Sequence, residues 1–284
     1  MRIGVGLPNQ IRDVNAADLP QWAVLAEELG FASLGTVGRN AYPGVADTVA
    51  LAAAAAVTSR IGLMSTVLIA PAWPPALLAK ELAGIDGISG GRLTLGAGVG
   101  IRPDDFLAEG YGLSGRGARF DRDLETFRAV WGGEPVGGGP NAAVPGGTRQ
   151  IPLLLGGQAP AAFKRMARWG EGYIGGSVPP EVVAPSFDEA RAAWREAGRE
   201  GSPRLAAVGY FSLGDGEKGR AAVRDYYEVL GDELADFVSQ GVSTTAEEVK
   251  TVVKKFADLG TDELILYPTV DDVDEVKRLA DLVL

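Results

Sequence analysis

The chain has 284 residues, 46% of them hydrophobic, with 27 basic against 37 acidic side chains and a formal net charge of −10; that length and apolar content build a full core and exclude a disordered tail. It contains no Cys and no His, which removes cysteine nucleophiles, Ser-His-Asp triads, disulfides and thiolate or imidazole metal sites, so no metal is expected. The acidic balance repels nucleic-acid backbones, no apolar run approaches the roughly 18 residues of a membrane span, and MRIGVGLPNQ reads as strand and turn rather than a leader; a cytoplasmic protein that binds neither nucleic acid nor membrane is expected.

In chain order, Arg2 to Leu7 is a β-prone run closed by Pro8 and Asn9, and Trp22, Leu25, Ala26 and Leu29 follow at helical spacing. The order recurs. Ala32 to Val37 precedes an Ala-rich helix from Asp47 to Thr58, Ile61 to Ile69 precedes a helix from about Pro75 to Ile88, and Leu93 to Val99 precedes a helix carrying Phe120, Leu124, Phe127 and Trp131. Gly132 to Gln150 holds seven Gly and three Pro in nineteen residues, the composition of a long irregular connection or weak hairpin. Beyond it the alternation resumes: Pro152 to Leu155 before Phe163, Met166 and Ala167; Gly172 to Val178 before Ala190, Ala193, Trp194 and Ala197; Leu205 to Leu213 before a helix around Ala221 to Leu230. A stripe of Val249, Val252, Val253 and Phe256, an eighth strand from Glu263 to Tyr267 and a closing helix with Val276, Leu279, Ala280 and Val283 complete the chain.

Eight strands alternating with helices require parallel pairing and right-handed crossovers, and a chain of this length matches an α/β fold, the eight-stranded parallel β/α (TIM) barrel. Residues 1–284 are expected to form one such domain, with 132–150 an irregular insertion. The rival, a doubly wound open sheet, needs a nucleotide fingerprint after the first strand, and GLPNQIRD is not one.

In a barrel the active site lies at the C-terminal strand ends. The residues there are mostly small or aromatic: Pro8 and Asn9; Gly38, Arg39 and Asn40; Thr66 and Val67 with the following PAWPP; Gly98 to Asp105; Gly156 to Ala159; Gly175 to Ser177; Gly209 to Phe211; and Tyr267. Such a lining suits a flat cofactor that brings its own reactivity. Gly156-Gly157-Gln158-Ala159 and Gly175-Gly176-Ser177 offer backbone amides and a hydroxyl to an anion, or simply make tight strand-to-helix turns. Asp104, Asp105 and Glu109 form an acidic cluster suited to acid-base work, or Asp104 and Asp105 simply cap the helix that follows. Arg39 faces an anion or forms an ion pair, and Trp73 stacks on a ring or packs. No catalytic residue stands out.

Taken together, RIGVGLP, LAEELGFASLGTV, the block AAAAAVTSRIGLMSTVLIAPAWPPALLAKELAGIDGISGGRLTLGAGVG with its trailing RPDDF, FDRDLETFRAVW, IPLLLGGQAPAAFKRMARWGEGYIGG and EEVKTVVKKFADLGTDELILYP resemble the bacterial luciferase-like monooxygenase superfamily over nearly the whole chain. The resemblance implies a flavin (FMN) or deazaflavin (coenzyme F420) ring lying over the strand ends, and often a homodimer. It implies a non-prolyl cis peptide at Thr66-Val67 behind the ring, a ring-side loop from Gly98 to Asp104 that includes Gly100 and Ile101, and a phosphate cradle of Gly157, Gln158, Gly176 and Ser177. Some deazaflavin members use a His after the second strand and a Glu after the fourth; those positions hold Arg39 and Ile101 here, so the proton donors of those relatives are missing.

The function the resemblance implies is an oxidoreductase that uses reduced FMN or coenzyme F420 to transfer hydride to, or oxygenate, a small organic substrate. A non-catalytic flavin or deazaflavin carrier is the alternative, and a phosphosugar isomerase or aldolase the third reading; the latter needs a Lys or carboxylate at a strand end. For the homodimer, the helix Ala118 to Trp131 and the apolar face of the first helix, Trp22 to Leu29, are the expected contact surfaces.

Overall fold

The computed structural model describes residues 1–284. Its strands are β1 (Arg2–Gly6), β2 (Ser33–Thr36), β3 (Gly62–Ser65), β4 (Leu68–Ile69), β5 (Leu93–Gly98), β6 (Leu153–Leu155), β7 (Gly172–Ile174), β8 (Arg204–Phe211) and β9 (Glu263–Pro268). They pair in parallel in the order β3-β2-β1-β9-β8-β7-β6-β5-β4, and a further β3–β5 pairing closes the ring. The expected strand from Ile61 to Ile69 is one stave in two pieces, β3 and β4, separated by Thr66 and Val67, whose peptide bond is cis. Eight staves therefore form the closed β/α barrel.

Alternation along each strand divides the core in two. In β9 every side chain is buried; Leu264 and Leu266 face the outer layer between strands and helices, whereas Ile265 and Tyr267 face inward with Met64, Leu154, Ile174 and Val208. Tyr267 fits inside because its neighbours have no side chains: a Cβ at Gly6 would fall 2.0 Å from its ring, and one at Gly35 2.2 Å from its hydroxyl. That hydroxyl is 2.5 Å from Oγ1 of Thr66, tying the interior to the split stave.

The helices are α1 (Leu19–Leu29), α2 (Asp47–Val57), α3 (Pro75–Ser89), α4 (Pro103–Leu107), α5 (Arg116–Trp131), α6 (Pro160–Trp169), α7 (Pro180–Glu196), α8 (Gly216–Tyr227), α9 (Asp232–Gln240), α10 (Ala246–Asp258) and α11 (Asp274–Val283). None is long and apolar enough to cross a membrane. Local chemistry sets several ends: Thr245 and Glu248 form a reciprocal capping box on α10, and Gly231, at φ 96°, ends the turn after α8 before α9 begins. Residues 132–150 carry no helix or strand beyond a single antiparallel bridge between Pro135 and Ala142.

Two expectations change. The segment after β8 was expected to hold one helix before the Val249 stripe, but Gly231 divides it into α8 and α9. The helices expected to seat a second copy turn much of their apolar stripe inward, Leu25 and Leu29 of α1 remaining partly exposed. On α1, Trp22, Ala23 and Ala26 are buried in the outer layer, as are Phe120, Leu124, Phe127 and Trp131 on α5, the last donating its indole N–H to the Ala79 carbonyl at 2.9 Å.

Candidate active site

The C-terminal ends of the strands open into a cleft of about 1460 Å³, mouth included. Nine of the residues expected at a cofactor line it: Thr66, Val67, Gly98, Gly100, Ile101, Gly157, Gln158, Gly176 and Ser177. The barrel gathers them because each follows a strand and all the strands point the same way. Gly100 has to be glycine: its φ is +67°, and a Cβ there would meet Ile69 at 2.6 Å and Phe106 at 3.1 Å.

The two Gly-rich turns follow the neighbouring strands β6 and β7, and both line the cleft. The backbone N–H groups of Gly157, Gln158, Gly176 and Ser177 donate to no backbone carbonyl. Gly157 is placed by the Tyr173 hydroxyl, which donates to its carbonyl at 3.1 Å. Ser177 Oγ is 2.7 Å from the Tyr227 hydroxyl, which is 3.2 Å from that of Tyr210. Beside Gly176 there is open space, since a Cβ there meets nothing within 4 Å. Free amides and a hydroxyl around a void can accept an anionic group.

Arg39 and Asp104 do not line the cleft. The Arg39 guanidinium is buried behind the wall, where it pairs with Asp104, lies 3.6 Å from Asp105 and donates to the Tyr226 carbonyl at 3.1 Å. Opposite charges at this distance satisfy each other, so the expectation that Arg39 and Asp104 face a ligand is corrected. Asp105, fully buried, accepts from the Ala41 amide at 3.0 Å. These carboxylates anchor α4 to the loop after β2 rather than capping it. Glu109 is exposed, and Trp73 is half-buried against the core and absent from the cleft.

Other wall residues fall outside the expected set. Tyr226, Tyr227, Leu230, Leu234 and Val238 come from α8, α9 and the turn between them, and Arg102 comes from the residue just before α4. Burial raises the affinity of the Tyr226 hydroxyl for its proton, and that hydroxyl has no hydrogen-bond partner. Behind the wall at Gly38 lies Asp47, the first residue of α2; a Cβ on Gly38 would fall 2.2 Å from its Oδ2. Burial pushes the Asp47 carboxyl up to about 6, against the pull of the Thr36 hydroxyl. The double tyrosine before Gly231 was the available signal for this wall; Arg102, beside two acids, gave none.

A sequence profile described as luciferase-like monooxygenase matches residues 1–282. The chain belongs to the luciferase-like monooxygenase family. Two uncharacterised proteins of Mycobacterium tuberculosis resemble it, one 35% identical over 170 residues (56% of this chain, 60% of that protein) and one 32% identical over 164 residues (55% and 57%). The match thus spans about 60% of the length of these relatives. Among solved structures, the monooxygenase RslO1 from Streptomyces bottropensis is 25% identical with a TM-score of 0.78, over 99% of this chain and 97% of that one. An F420-dependent secondary alcohol dehydrogenase in complex with an F420-acetone adduct superposes at 0.81 with 19% identity (99% and 98%). The FMN-bound oxygenating constituent of 3,6-diketocamphane monooxygenase from Pseudomonas putida does so at 0.73 with 16% identity (99% and 95%). These last two share the fold of this family member.

Proposed function

We propose that the protein is an oxidoreductase whose cleft holds reduced FMN or coenzyme F420 over the strand ends and acts on a small organic substrate, by hydride transfer or by oxygenation. The observation that carries this reading is the pairing, in one cleft, of a floor without bulk at Gly98 and Gly100 with the four free amides of the Gly157 and Gly176 turns. A flat ring requires the first and its phosphate tail the second. Family membership and the cofactors named for the solved relatives support it. Thr66, Val67 and Gly98 would back the ring, and Gly157, Gln158, Gly176 and Ser177 would hold the phosphate. Arg39 and Asp104 would support the wall from behind.

When bound, the reduced cofactor supplies the electrons. The chain orients the substrate and excludes water with the wall of Tyr226, Tyr227, Leu230, Leu234 and Val238. Behind the wall, burial raises the Asp47 carboxyl to about 6. The cleft lining contains no Asp, Glu or Lys. That argues against an isomerase or aldolase and keeps a second reading, a carrier that binds the cofactor without turnover.

The test is reconstitution with FMN and with coenzyme F420 in turn, read as a shift in the absorption spectrum, followed by reoxidation of the bound reduced cofactor with and without candidate acceptors. Binding of one cofactor with acceptor-dependent reoxidation supports the enzyme; binding without it supports the carrier; binding of neither overturns both.

A further inference from the structure

Arg102 is the one charged residue lining the cleft, and its side chain forms no salt bridge or hydrogen bond with the rest of the chain. It is 9% exposed, and its Nε and Nη2 are buried without a hydrogen-bond partner. The acids nearest in sequence are engaged elsewhere: Asp104 pairs with Arg39, and Asp105 lies 3.6 Å from Arg39 and accepts from Ala41. The flat face of Arg102 is occupied, its Cζ lying 4.6 Å from the centroid of the Tyr226 ring and 4.8 Å from that of Tyr227. What remains free is the Nε–Nη2 edge, the side-on fork with which arginine binds two oxygens at once. Asp105 attracts this cation without bonding to it, and buried guanidinium N–H groups left without acceptors are costly until a ligand supplies them.

We infer that Arg102 is an oxyanion-binding residue of the cleft, taking a carboxylate or a phosphoryl group on its Nε–Nη2 edge while Tyr226 and Tyr227 fix its plane. This rests on the cleft being the binding site proposed above, but not on which cofactor occupies it. The oxyanion has two possible sources. Tyr227 touches both Arg102 and Ser177, so the phosphoryl tail of a cofactor held in the Gly157 and Gly176 turns lies on one side of it. A carboxylate carried by the substrate lies on the other.

The experiment compares wild type with Arg102→Met, which keeps the apolar stem against the tyrosines, and Arg102→Lys, which keeps the charge but not the fork. Each is titrated with FMN against riboflavin, and with coenzyme F420 against the same deazaflavin ring lacking the phosphate, by fluorescence; inorganic phosphate and benzoate are titrated by thermal shift. We expect at least a tenfold loss of affinity for an oxyanion probe in Arg102→Met, partly restored in Arg102→Lys, with the phosphate-free rings unaffected and the melting temperature without ligand unchanged or higher. A loss confined to FMN or F420 and phosphate assigns the cofactor tail; a loss confined to benzoate assigns the substrate. If neither cofactor binds wild type, the functional reading fails while phosphate and benzoate still test Arg102. Equal binding of every probe by wild type and Arg102→Met, a wild type that binds none, or a lower melting temperature with unchanged binding overturns the inference.

Discussion

The two poles of the barrel treat polar groups in opposite ways. At the pole where strands begin, Glu263 is almost completely buried and every demand on it is met: it accepts from Arg2 at 2.5 Å, from Arg204 at 2.6 Å and from Ser33. Asp86, near the start of β5, is gripped by Arg149 through two bonds of 2.7 Å and by the Leu93 amide at 3.1 Å. At the mouth, the Arg102 guanidinium, the Tyr226 hydroxyl and the amides of the two Gly-rich turns have no such partners. Buried polar groups are normally paired. Single atoms are left unpartnered at the closed pole too, Arg204 Nε among them, but only at the mouth do such groups gather around a cleft.

The sharpest way to break this contrast is to cut the closed pole. Glu263→Gln leaves Arg204 and Arg2 without their carboxylate, and about 3 kcal/mol of unfolding free energy should disappear in denaturant titrations while cofactor affinity stays put. A loss below about 1 kcal/mol would mean that the network is no more than a set of surface contacts. At the open pole, Gly176→Glu places a carboxylate in the empty space beside the cradle. Affinity for FMN or coenzyme F420 should fall on the order of a hundredfold, about 2.7 kcal/mol, with the melting temperature of the empty protein unchanged. Undiminished binding would put the phosphate elsewhere.

Asp47 sharpens the comparison through pH. Its carboxyl has an ordinary value of 3.8 and is pushed up to about 6 in the fold. The native state therefore holds more protons than the unfolded chain between those values, and stability falls as pH rises from 4 to 6. Asp47→Asn cannot make that transition. Relative to wild type it should gain about 2 kcal/mol on going from pH 4 to pH 8, read from unfolding curves at the two pH values; parallel curves would show that the carboxyl is not desolvated. The smallest effect is expected at Thr245→Ala, which opens the capping box of α10 on the outer layer. It should cost about 1 kcal/mol and leave ligand binding untouched.

What the sequence disclosed follows from what barrel geometry dictates. Thr66, Gly98, Gly157 and Gly176 were legible because parallel strands bring their C-terminal ends to one face wherever they lie in the chain. The split stave was not legible as two strands, because the run from Ile61 to Ile69 contains no Pro or turn pair and its Ser65 and Thr66 are as compatible with a continuous strand as with a break. Tyr226, Leu234 and Val238 escaped for a different reason. Helical periodicity reads the same whether an apolar face packs on a core or walls a cleft, and only the turn at Gly231 folds α9 back over the mouth. Arg39 misled by position: it follows a strand, yet the acids at the start of α4 claim its charge.

The wall formed by α8, α9 and the turn between them is one unbroken stretch of chain, whereas the turns with free amides follow the ends of β6 and β7. The halves of the cleft are thus written in separate passages of the gene. Exchanging residues 230–238 would redraw that wall while keeping Tyr227, whose hydroxyl meets Ser177 of the second turn. Under the proposed function, a lineage or an engineer would change what the protein acts on there without relearning how it holds its cofactor.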